Sequence, residues 1–230
     1  KGDGDFNSAE IKKLRDEADI IITNPPFSLF KEFLKWIVEG NKQFLMIGNI
    51  NIITYKEVFP LIKENKAWLG TGMGRWISGF IVPEAYELYG SEAAVDGSGN
   101  RIVATNNCLW FTNLDHGKRH QTLTLMTMDE NLKYSKHKEI RGKNSYDKYD
   151  NYNAVEVPFT DAIPSDYDGV MGVPITFLDK YNPDQFEIIW TTDRGGDGML
   201  EDIKLPHTRF DAPVINDKGV YKRILIKHKK

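Results

Sequence analysis

Four residues that can do chemistry, Asn24, Pro25, Pro26 and Phe27, follow a short apolar run at residues 19–23. The prolines have no backbone N–H and a φ fixed at about −65°, so strand pairing stops there and the backbone is rigid. The Asn24 carboxamide and the Pro25 carbonyl can each accept a hydrogen bond from an amine, while Phe27 offers an aromatic face. The group therefore suits a planar ring with an exocyclic amine, whose nitrogen becomes more nucleophilic when both of its hydrogens are held.

The residues before this motif predict that it lies at the end of a buried strand. Three consecutive isoleucines are typical of a parallel strand, and ligands bind at the carboxyl ends of such strands in open α/β sheets. The alternative is a strand that merely ends in a proline turn, but a chance match to this pattern in 230 residues has a probability of roughly 1%. Asp19, at the start of the strand, is expected to be structural.

Helices are predicted on both sides of the motif. Ser8 is the expected N-cap of one helix and Ser28 of a second, which carries an apolar face and ends at Gly40. A further strand is predicted at 44–47 and a further helix at 54–66. This order is the rhythm of βαβ units, so we expect an α/β fold with a parallel sheet covered by helices on both faces.

The chain beyond residue 67 is predicted to be β-rich. Residues 87–100 are acidic and contain glycine, which indicates a mobile loop, and residues 129–153 are polar, with lysine and tyrosine interleaved. A hairpin is expected at 212–226. The other expected strands lie at 68–69, 102–103, 108–111, 122–126 and 188–190.

Composition narrows the class of protein. A net charge of −3 gives no global basic field, so any binding of nucleic acid must depend on a local patch. Cys108 is the one cysteine, which excludes an internal disulfide and fits a reducing cytoplasm. No apolar run approaches the length of a membrane span. The sequence starts at Lys1 with neither a methionine nor a signal peptide, and we expect it to begin partway along a longer chain.

Further stretches carry a family resemblance. Residues 2–6 (GDGDF) precede the motif by one helix, and residues 44–55 (FLMIGNINIITY) follow it. Residues 110–114 (WFTNL) and 166–186 (DYDGVMGVPITFLDKYNPDQF) come later in the chain. Together with the Asn-Pro-Pro-Phe motif, these stretches resemble the EcoRI-type adenine-specific DNA methyltransferases.

The resemblance implies a Rossmann-like methyltransferase sheet that uses S-adenosylmethionine, followed by a β-rich region that reads DNA. It implies methylation of adenine N6 in double-stranded DNA by base flipping and direct methyl transfer, in a restriction-modification system with a partner restriction endonuclease. Residues 1–115 would be a partial catalytic core, and residues 116–230 the target-recognition region. By position, Asp5 and Phe6 would contact the adenosine of the cofactor, and the catalytic residues would be Asn24, Pro25, Pro26 and Phe27.

The family's glycine-rich cofactor loop lies upstream of its catalytic motif, and no residue before Lys1 is present. We therefore expect the sheet to be incomplete at its N-terminal side and this chain alone to bind the cofactor weakly or not at all. The glycines of residues 70–74 (GTGMG) would supply that loop in a permuted enzyme, but they follow a short apolar piece and no amphipathic helix comes after them. A loop near the base or the DNA, with Arg75 and Trp76 facing it, is the preferred interpretation.

A local excess of positive charge predicts where DNA binds. Residues 116–148 hold eight Lys or Arg and four acidic residues in a chain of net charge −3. The alternative of a solvated, flexible loop remains open. Three histidines in and near this segment, at 116, 120 and 137, lack the spacing of a metal site and are expected to be polar surface. The candidate DNA-binding residues are Arg75, Lys118, Arg119, Lys133, Lys136, Lys138, Arg141 and Lys143.

Two other function classes stay open. A methyltransferase with this motif could act on RNA or on the amide of a glutamine side chain, since both present a planar amine. A non-catalytic fragment that binds nucleic acid is the third reading. The basic, tyrosine-rich region after residue 115 favours duplex DNA as the substrate.

Overall fold

The computed structural model describes residues 5–73, 79–87, 93–95, 97–104, 107–192 and 212–229. The chain divides into two compact units, Lys1–His116 and Gly117–Lys230. No helix among the described residues has the length and apolar character needed to cross a membrane.

The first unit builds its main sheet from strands near and far in the chain. Its helices in the described ranges are α1 (Ala9–Glu17), α2 (Phe30–Glu39) and α3 (Phe59–Lys63). Its strands there are β1 (Ile20–Thr23), β2 (Gln43–Asn49), β3 (Trp68–Met73), β4 (Gly79–Ile81), β5 (Ala93–Val95), β6 (Arg101–Ala104) and β7 (Cys108–Thr112).

The main sheet has the strand order β1-β2-β7-β3, and a smaller antiparallel sheet has the order β4-β6-β5. Strands β1 and β2 are parallel and joined through α2, as the βαβ rhythm predicts. β7 is antiparallel to both of its neighbours, so the expectation of a wholly parallel sheet is wrong. After the smaller sheet, the chain returns to the main sheet as β7. This strand lies between β2 and β3 and runs in the opposite direction to both.

One face of the main sheet is densely packed. Phe44 and Met46 of β2 are buried on the same face as Phe111 of β7, and the apolar face of α2 is buried as well. On β1, by contrast, Ile20 and Ile22 are 43% and 71% exposed. Within the described residues, the predicted cover of helices is therefore present on one face of β1 and absent from the other.

The helix boundaries differ from prediction at two places. Ser8 caps α1 and Gly40 ends α2, as expected, but the chain enters α2 through a 3₁₀ turn at Phe27–Leu29 and Ser28 is not its cap. The helix expected at 54–66 is confined to α3. Pro60 explains the late start, because proline fits only the first turn of a helix.

The glycine-rich stretch after residue 69 is largely strand. β3 extends through Gly70 and Gly72, and a Cβ at Gly70 would lie 2.6 Å from the Cβ of Trp110. The glycine therefore permits the close approach of β3 and β7, and residues 70–73 are part of a strand, whereas Gly74 lies outside the described residues. β5 lies within residues 87–100, so part of that expected loop is strand.

The second unit is built around a four-stranded sheet of order β10-β13-β9-β8. β13 is antiparallel to both neighbours, and β8 is parallel to β9. The unit's helix in the described ranges is α4 (Met128–Tyr134), and its strands are β8 (Val155–Glu156), β9 (Met171–Pro174), β10 (Phe186–Thr191), β11 (Val214–Ile215), β12 (Lys218–Gly219) and β13 (Arg223–His228).

The polar segment at 129–153 is folded. Thr127 and Glu130 form a capping box at the start of α4, which satisfies backbone donors at the helix terminus. Tyr146, Tyr149 and Tyr152 are 5%, 4% and 1% exposed and belong to the core. These tyrosines therefore lie at inward positions and the lysines of this segment at outward positions. The expectation that these three tyrosines belong to a DNA-binding interface is wrong.

Two further strand predictions need correction. Residues 122–126 form no strand, because the side-chain amide of Gln185 accepts from the Leu123 N–H at 2.8 Å and donates to its carbonyl at 2.9 Å. One side chain that is distant in sequence thus makes the two backbone hydrogen bonds that a neighbouring strand would otherwise make. The final hairpin is limited to β11 and β12, with Asn216 and Asp217 at positive φ in its turn, and β13 pairs elsewhere.

Candidate active site

The Asn-Pro-Pro-Phe motif begins directly after β1, whose last residue, Thr23, pairs with Met46 of β2. Asn24 is exposed, and its carboxamide makes no hydrogen bond within the described part of the chain. Pro25 is buried, while the Phe27 ring is 45% exposed. The motif thus combines a fixed backbone with an amide and an aromatic ring that are available to a ligand.

Tight packing behind the motif fixes its position. Phe30, three residues after Phe27, is 1% exposed and lies with its ring centroid 6.5 Å from that of Phe111. A Cβ at Gly48 would lie 2.9 Å from the Phe30 ring and 2.6 Å from Ile52. Only glycine leaves room for this contact, so the carboxyl end of β2 and the start of α2 are held together.

Asp5 and Phe6, the predicted cofactor contacts, line a cavity of about 490 Å³. The Phe6 ring meets Phe33 and Trp36 edge-on, with centroid distances of 5.2 and 6.0 Å. Leu29, two residues beyond the catalytic motif, also lines this cavity. The structure therefore brings the two predicted cofactor residues and the end of the motif segment to one concave surface.

The lining of the cavity combines aromatic and apolar side chains with charged ones. The Asp5 carboxylate accepts from the backbone N–H of Asn7 at 2.9 Å and is exposed, so it can also accept from a hydroxyl or an amine. Arg15 stabilises the wall, since its guanidinium lies 5.1 Å from the Trp36 ring centroid and donates to the Trp36 carbonyl at 3.0 Å. The carboxylate, the aromatic wall and the apolar Leu29 are the kinds of group that bind a ribose and a purine.

A second interaction near the carboxyl ends of these strands was not predicted from the sequence. The Lys31 ammonium lies 4.6 Å from the Tyr55 ring centroid and 3.4 Å from Glu57. This links the first turn of α2 to the chain that follows β2. Lys31, Tyr55 and Glu57 belong to no local motif, so only their proximity in the fold identifies the interaction.

Four of the predicted DNA-binding residues serve the second unit's own structure. Lys118 pairs with Asp179 at 2.8 Å, and Lys143 pairs with Asp147 at 2.5 Å. Arg119 is 8% exposed. Lys136 pairs at 2.7 Å with Asp161. Arg75 and its neighbour Trp76 lie outside the described residues.

Asp161 also accepts from His137, whose ring stacks on Phe159 with centroids 3.6 Å apart. Partial burial raises the pKa of Asp161, but the hydrogen bonds from Lys136 and His137 outweigh it, and the net result is a lowered pKa. His116 contacts the Leu69 carbonyl at 3.0 Å within the first unit. No group of three or more potential metal ligands occurs among the described residues.

Three candidate DNA-binding cations remain free of ion pairs within the described part of the chain: Lys133, Lys138 and Arg141. All three are exposed, and Tyr134 beside them is 72% exposed. The Gly142 N–H donates to the Leu132 carbonyl at 2.8 Å, which brings the end of this segment back to α4. We call Lys133, Tyr134, Lys138 and Arg141 the basic patch.

A buried ion pair in the second unit gave no signal in the sequence. Arg223 donates to Glu156 through Nη2 at 2.5 Å and through Nε at 3.1 Å, and their side chains are 12% and 8% exposed. The Tyr149 hydroxyl donates to the same carboxylate. Burial, followed by the charge of Glu156, raises the pKa of Tyr149 far above its ordinary range.

Comparison with known proteins places the chain in a family. The family model described as "Adenine-specific methyltransferase EcoRI" matches residues 1–229. The chain is 53% identical over 230 residues to the Type II methyltransferase M.EcoRI of Escherichia coli, covering all of this chain and 63% of that protein. It is 36% identical over 233 residues to the Type II methyltransferase M.MgeORF184P of Mycoplasma genitalium, covering 99% of this chain and 70% of that protein.

A third relative, the Type II methyltransferase M.MpnI of Mycoplasma pneumoniae, is 36% identical over 190 residues, covering 82% of this chain and 56% of that protein. The chain thus spans less than two thirds of the length of M.EcoRI. No solved structure matches it. The match of a family model to nearly every residue, with 53% identity to M.EcoRI over the whole chain, shows that the chain belongs to the EcoRI family of adenine-specific methyltransferases.

Proposed function

We propose that the protein containing this chain methylates N6 of adenine in double-stranded DNA with S-adenosylmethionine. The observation that carries the proposal is the free Asn24 carboxamide at the carboxyl end of β1, followed by the half-exposed Phe27 ring. An amide acceptor and a stacking face on a rigid backbone are what a planar amine requires. The fold we propose is Rossmann-like, with β1 and β2 as neighbouring parallel strands of the catalytic sheet.

Inside a duplex the target amine is buried in the base stack, so the adenine must be flipped out at a cost of a few kcal/mol. Stacking on Phe27 supplies about 1–3 kcal/mol toward that cost. Asn24 Oδ1 and the Pro25 carbonyl then each accept one hydrogen of N6. Because both hydrogens are held, the nitrogen lone pair is directed toward the methyl donor.

Bound S-adenosylmethionine supplies an activated methyl group on a sulfonium centre. Asp5 and Phe6 would hold its adenosine part, since both line the cavity beside Leu29. The chain's main contribution is position, since holding two reactants in line accounts for several kcal/mol of a transfer barrier. Pro25 and Pro26 serve this purpose by limiting the motion of the residues that grip the amine.

The second unit is the proposed DNA-reading region. Its basic patch supplies three unpaired cations for phosphates and an exposed tyrosine. We propose that the protein acts in the cytoplasm in a restriction-modification system with a partner endonuclease, as the Type II names of its relatives suggest.

The test is transfer of a labelled methyl group from S-adenosylmethionine by the full-length protein, with duplex DNA, RNA and protein offered in parallel. We expect label on adenine of duplex DNA. Replacing Asn24 with alanine is expected to lower the rate by about 100-fold or more, the loss found when one oriented catalytic hydrogen-bonding group is removed. Gln43→Ala, which removes an exposed amide at the amino end of β2, is the matched control and is expected to leave the rate unchanged.

Two results would contradict the proposal. An unchanged rate for Asn24→Ala would remove the motif from the mechanism. Label on RNA or on a glutamine side chain, with none on DNA, would assign the protein to one of the alternative substrate classes.

A further inference from the structure

A second carboxamide stands at the same sheet edge as Asn24. Asn51 lies in the 3₁₀ turn Ile50–Thr54 that follows β2. Its backbone N–H donates to Asn49 Oδ1 at 2.9 Å, and its carbonyl accepts from Thr54 Oγ1 at 2.9 Å. The Asn51 side chain is exposed and makes no hydrogen bond within the described part of the chain. Its backbone is thus held on both sides, while its amide is free.

The packing of the unit places this turn beside the catalytic motif. β1 and β2 are adjacent and parallel, with Thr23 opposite Met46, so both strands end at the same edge. Ile52, the next residue after Asn51, shares the Gly48 contact with Phe30 at the start of α2. The Lys31–Tyr55 and Lys31–Glu57 contacts close the far end of the turn. The exposed amides of Asn24 and Asn51 therefore follow neighbouring parallel strands at the same edge of the sheet.

The chemistry of the target base leaves one position for this second amide. Flipped bases are read on their Watson–Crick edge, where adenine presents the N6 amino group as donor and N1 as acceptor. Asn24 Oδ1 and the Pro25 carbonyl are both acceptors and can satisfy only N6. N1 needs a donor, and the NH₂ group of an asparagine provides one.

We propose that Asn51 is a specificity-determining residue whose Nδ2 donates a hydrogen bond to N1 of the flipped adenine. This inference rests on the proposed adenine methylation and extends it to a second base contact. It explains rejection of a base that has no acceptor at that ring position, because the Asn51 NH₂ group would then be left without a partner. A buried donor left without a partner is costly, which makes the contact selective.

The test compares single-turnover methylation of three duplexes that carry adenine, 1-deazaadenine or 7-deazaadenine at the target position. The 1-deaza base replaces N1 with C–H, and the 7-deaza base keeps N1 as a control. We expect the full-length wild-type protein to lose about 10-fold in rate on 1-deazaadenine relative to 7-deazaadenine, the size of one hydrogen bond to a buried group. Asn51→Ala is expected to be about 10-fold slower than wild type on adenine and to show no further loss on 1-deazaadenine.

The diagnostic quantity is the ratio of rates between the 1-deaza and 7-deaza substrates, compared between wild type and variant. This comparison cancels any change in the intrinsic reactivity of the amine. Asn51→Asp keeps the shape of the side chain but lacks the donor when it is ionised, so it should behave as Asn51→Ala does. It replaces the alanine variant in the test if that variant unfolds. Gln43→Ala should keep the wild-type ratio.

Equal ratios in wild type and both Asn51 variants would overturn the assignment, because the two losses would then be independent. A wild-type protein that methylates no adenine would instead overturn the proposed function. The two failures are therefore distinguishable within one experiment.

Discussion

At the scale of single residues, Tyr149 shows how a polar side chain becomes part of a core. Its hydroxyl donates to Glu156, which is also held by Arg223, and a Cβ at Gly172 would collide with that hydroxyl. A buried ion pair of this kind depends on each donor that satisfies its carboxylate, because an unpaired buried charge is very costly. Tyr149 is thus an electrostatic partner as well as an apolar group.

We predict that Tyr149→Phe destabilises the second unit by about 1–3 kcal/mol near neutral pH, because Glu156 loses a donor. The variant should also be less sensitive to alkali. The pKa of Tyr149 is raised in the folded state, so above the ordinary value of 10.0 the unfolded chain releases this proton first and stability falls as pH rises. Below the ordinary pKa of tyrosine, the stabilisation that the neutral Tyr149 hydroxyl provides is fully present.

Denaturant unfolding at a series of pH values between about 7 and about 11, with tyrosinate absorbance as a second signal, measures both effects. Tyr221→Phe is the control, because Tyr221 is 81% exposed and should change neither quantity. Equal alkaline sensitivity of wild type and Tyr149→Phe would show that this hydroxyl is not the titrating group.

At the scale of elements, the edge of the sheet that bears the Asn-Pro-Pro-Phe motif depends on how closely α2 approaches β2. Gly48 lies at that contact, with Phe30 on one side and Ile52 on the other. Because the Phe30 ring is also packed against Phe111, it has little freedom to give way. The same small residue therefore determines the positions of the catalytic motif and of the turn that bears Asn51.

We predict that Gly48→Ala lowers the free energy of unfolding of the first unit by about 1–3 kcal/mol, the usual cost of overpacking. Gly117→Ala is the matched control, since a Cβ there would meet nothing within 4 Å. Thermal unfolding of the two variants measures the difference. A Gly48→Ala protein as stable as the control would mean that the contact relaxes at no cost.

The elements that the sequence predicts well are those made by local pattern. β1, α2 and β2 follow from an apolar run, a helical spacing and a terminal glycine, and each is confirmed. The antiparallel pairing of β7 with β2 and the hydrogen bonds of Gln185 to Leu123 join residues roughly 60 positions apart, which no local pattern records.

The same limit applies to the candidate site. The motif from Asn24 to Phe27 is visible as four consecutive letters, whereas the proximity of Lys31 to Tyr55 exists only in the fold. Charge counting found the basic segment but gave no means to separate Lys136, which pairs with Asp161, from Lys138, which remains free within the described residues.

At the scale of the whole molecule, a chain of net charge −3 that binds DNA, as we propose, would use a small part of its surface. The basic patch is one cluster of unpaired cations in the second unit. Cations already paired with Asp161, Asp147 or Asp179 are largely neutralised. DNA affinity should therefore depend on few residues and be sensitive to salt.

We predict that joint replacement of Lys133, Lys138 and Arg141 by alanine weakens DNA binding at low salt and flattens its salt dependence. Each lost phosphate contact changes the slope of log K against log salt concentration by about 0.9, so the total change should be about 2–3. Fluorescence anisotropy with duplex DNA over a range of salt concentrations measures the slope.

The control for this experiment removes the same charge elsewhere in the second unit, with Lys180, Lys218 and Lys229 replaced by alanine; all three are exposed and make no ion pair within the described residues. Its slope should equal that of wild type. Identical slopes for the two triple variants would show that overall charge, and not the basic patch, determines the affinity.

The position of β13 has a consequence for biosynthesis. β13 lies between β10 and β9, and among the described strands β10 pairs with β13 alone. On the ribosome, β9 and β10 emerge well before residues 223–228, so both present unpaired backbone edges that can pair wrongly with other chains. Folding of this unit cannot be completed until β13 has left the ribosome, so we expect the nascent protein to keep these two strand edges exposed until then.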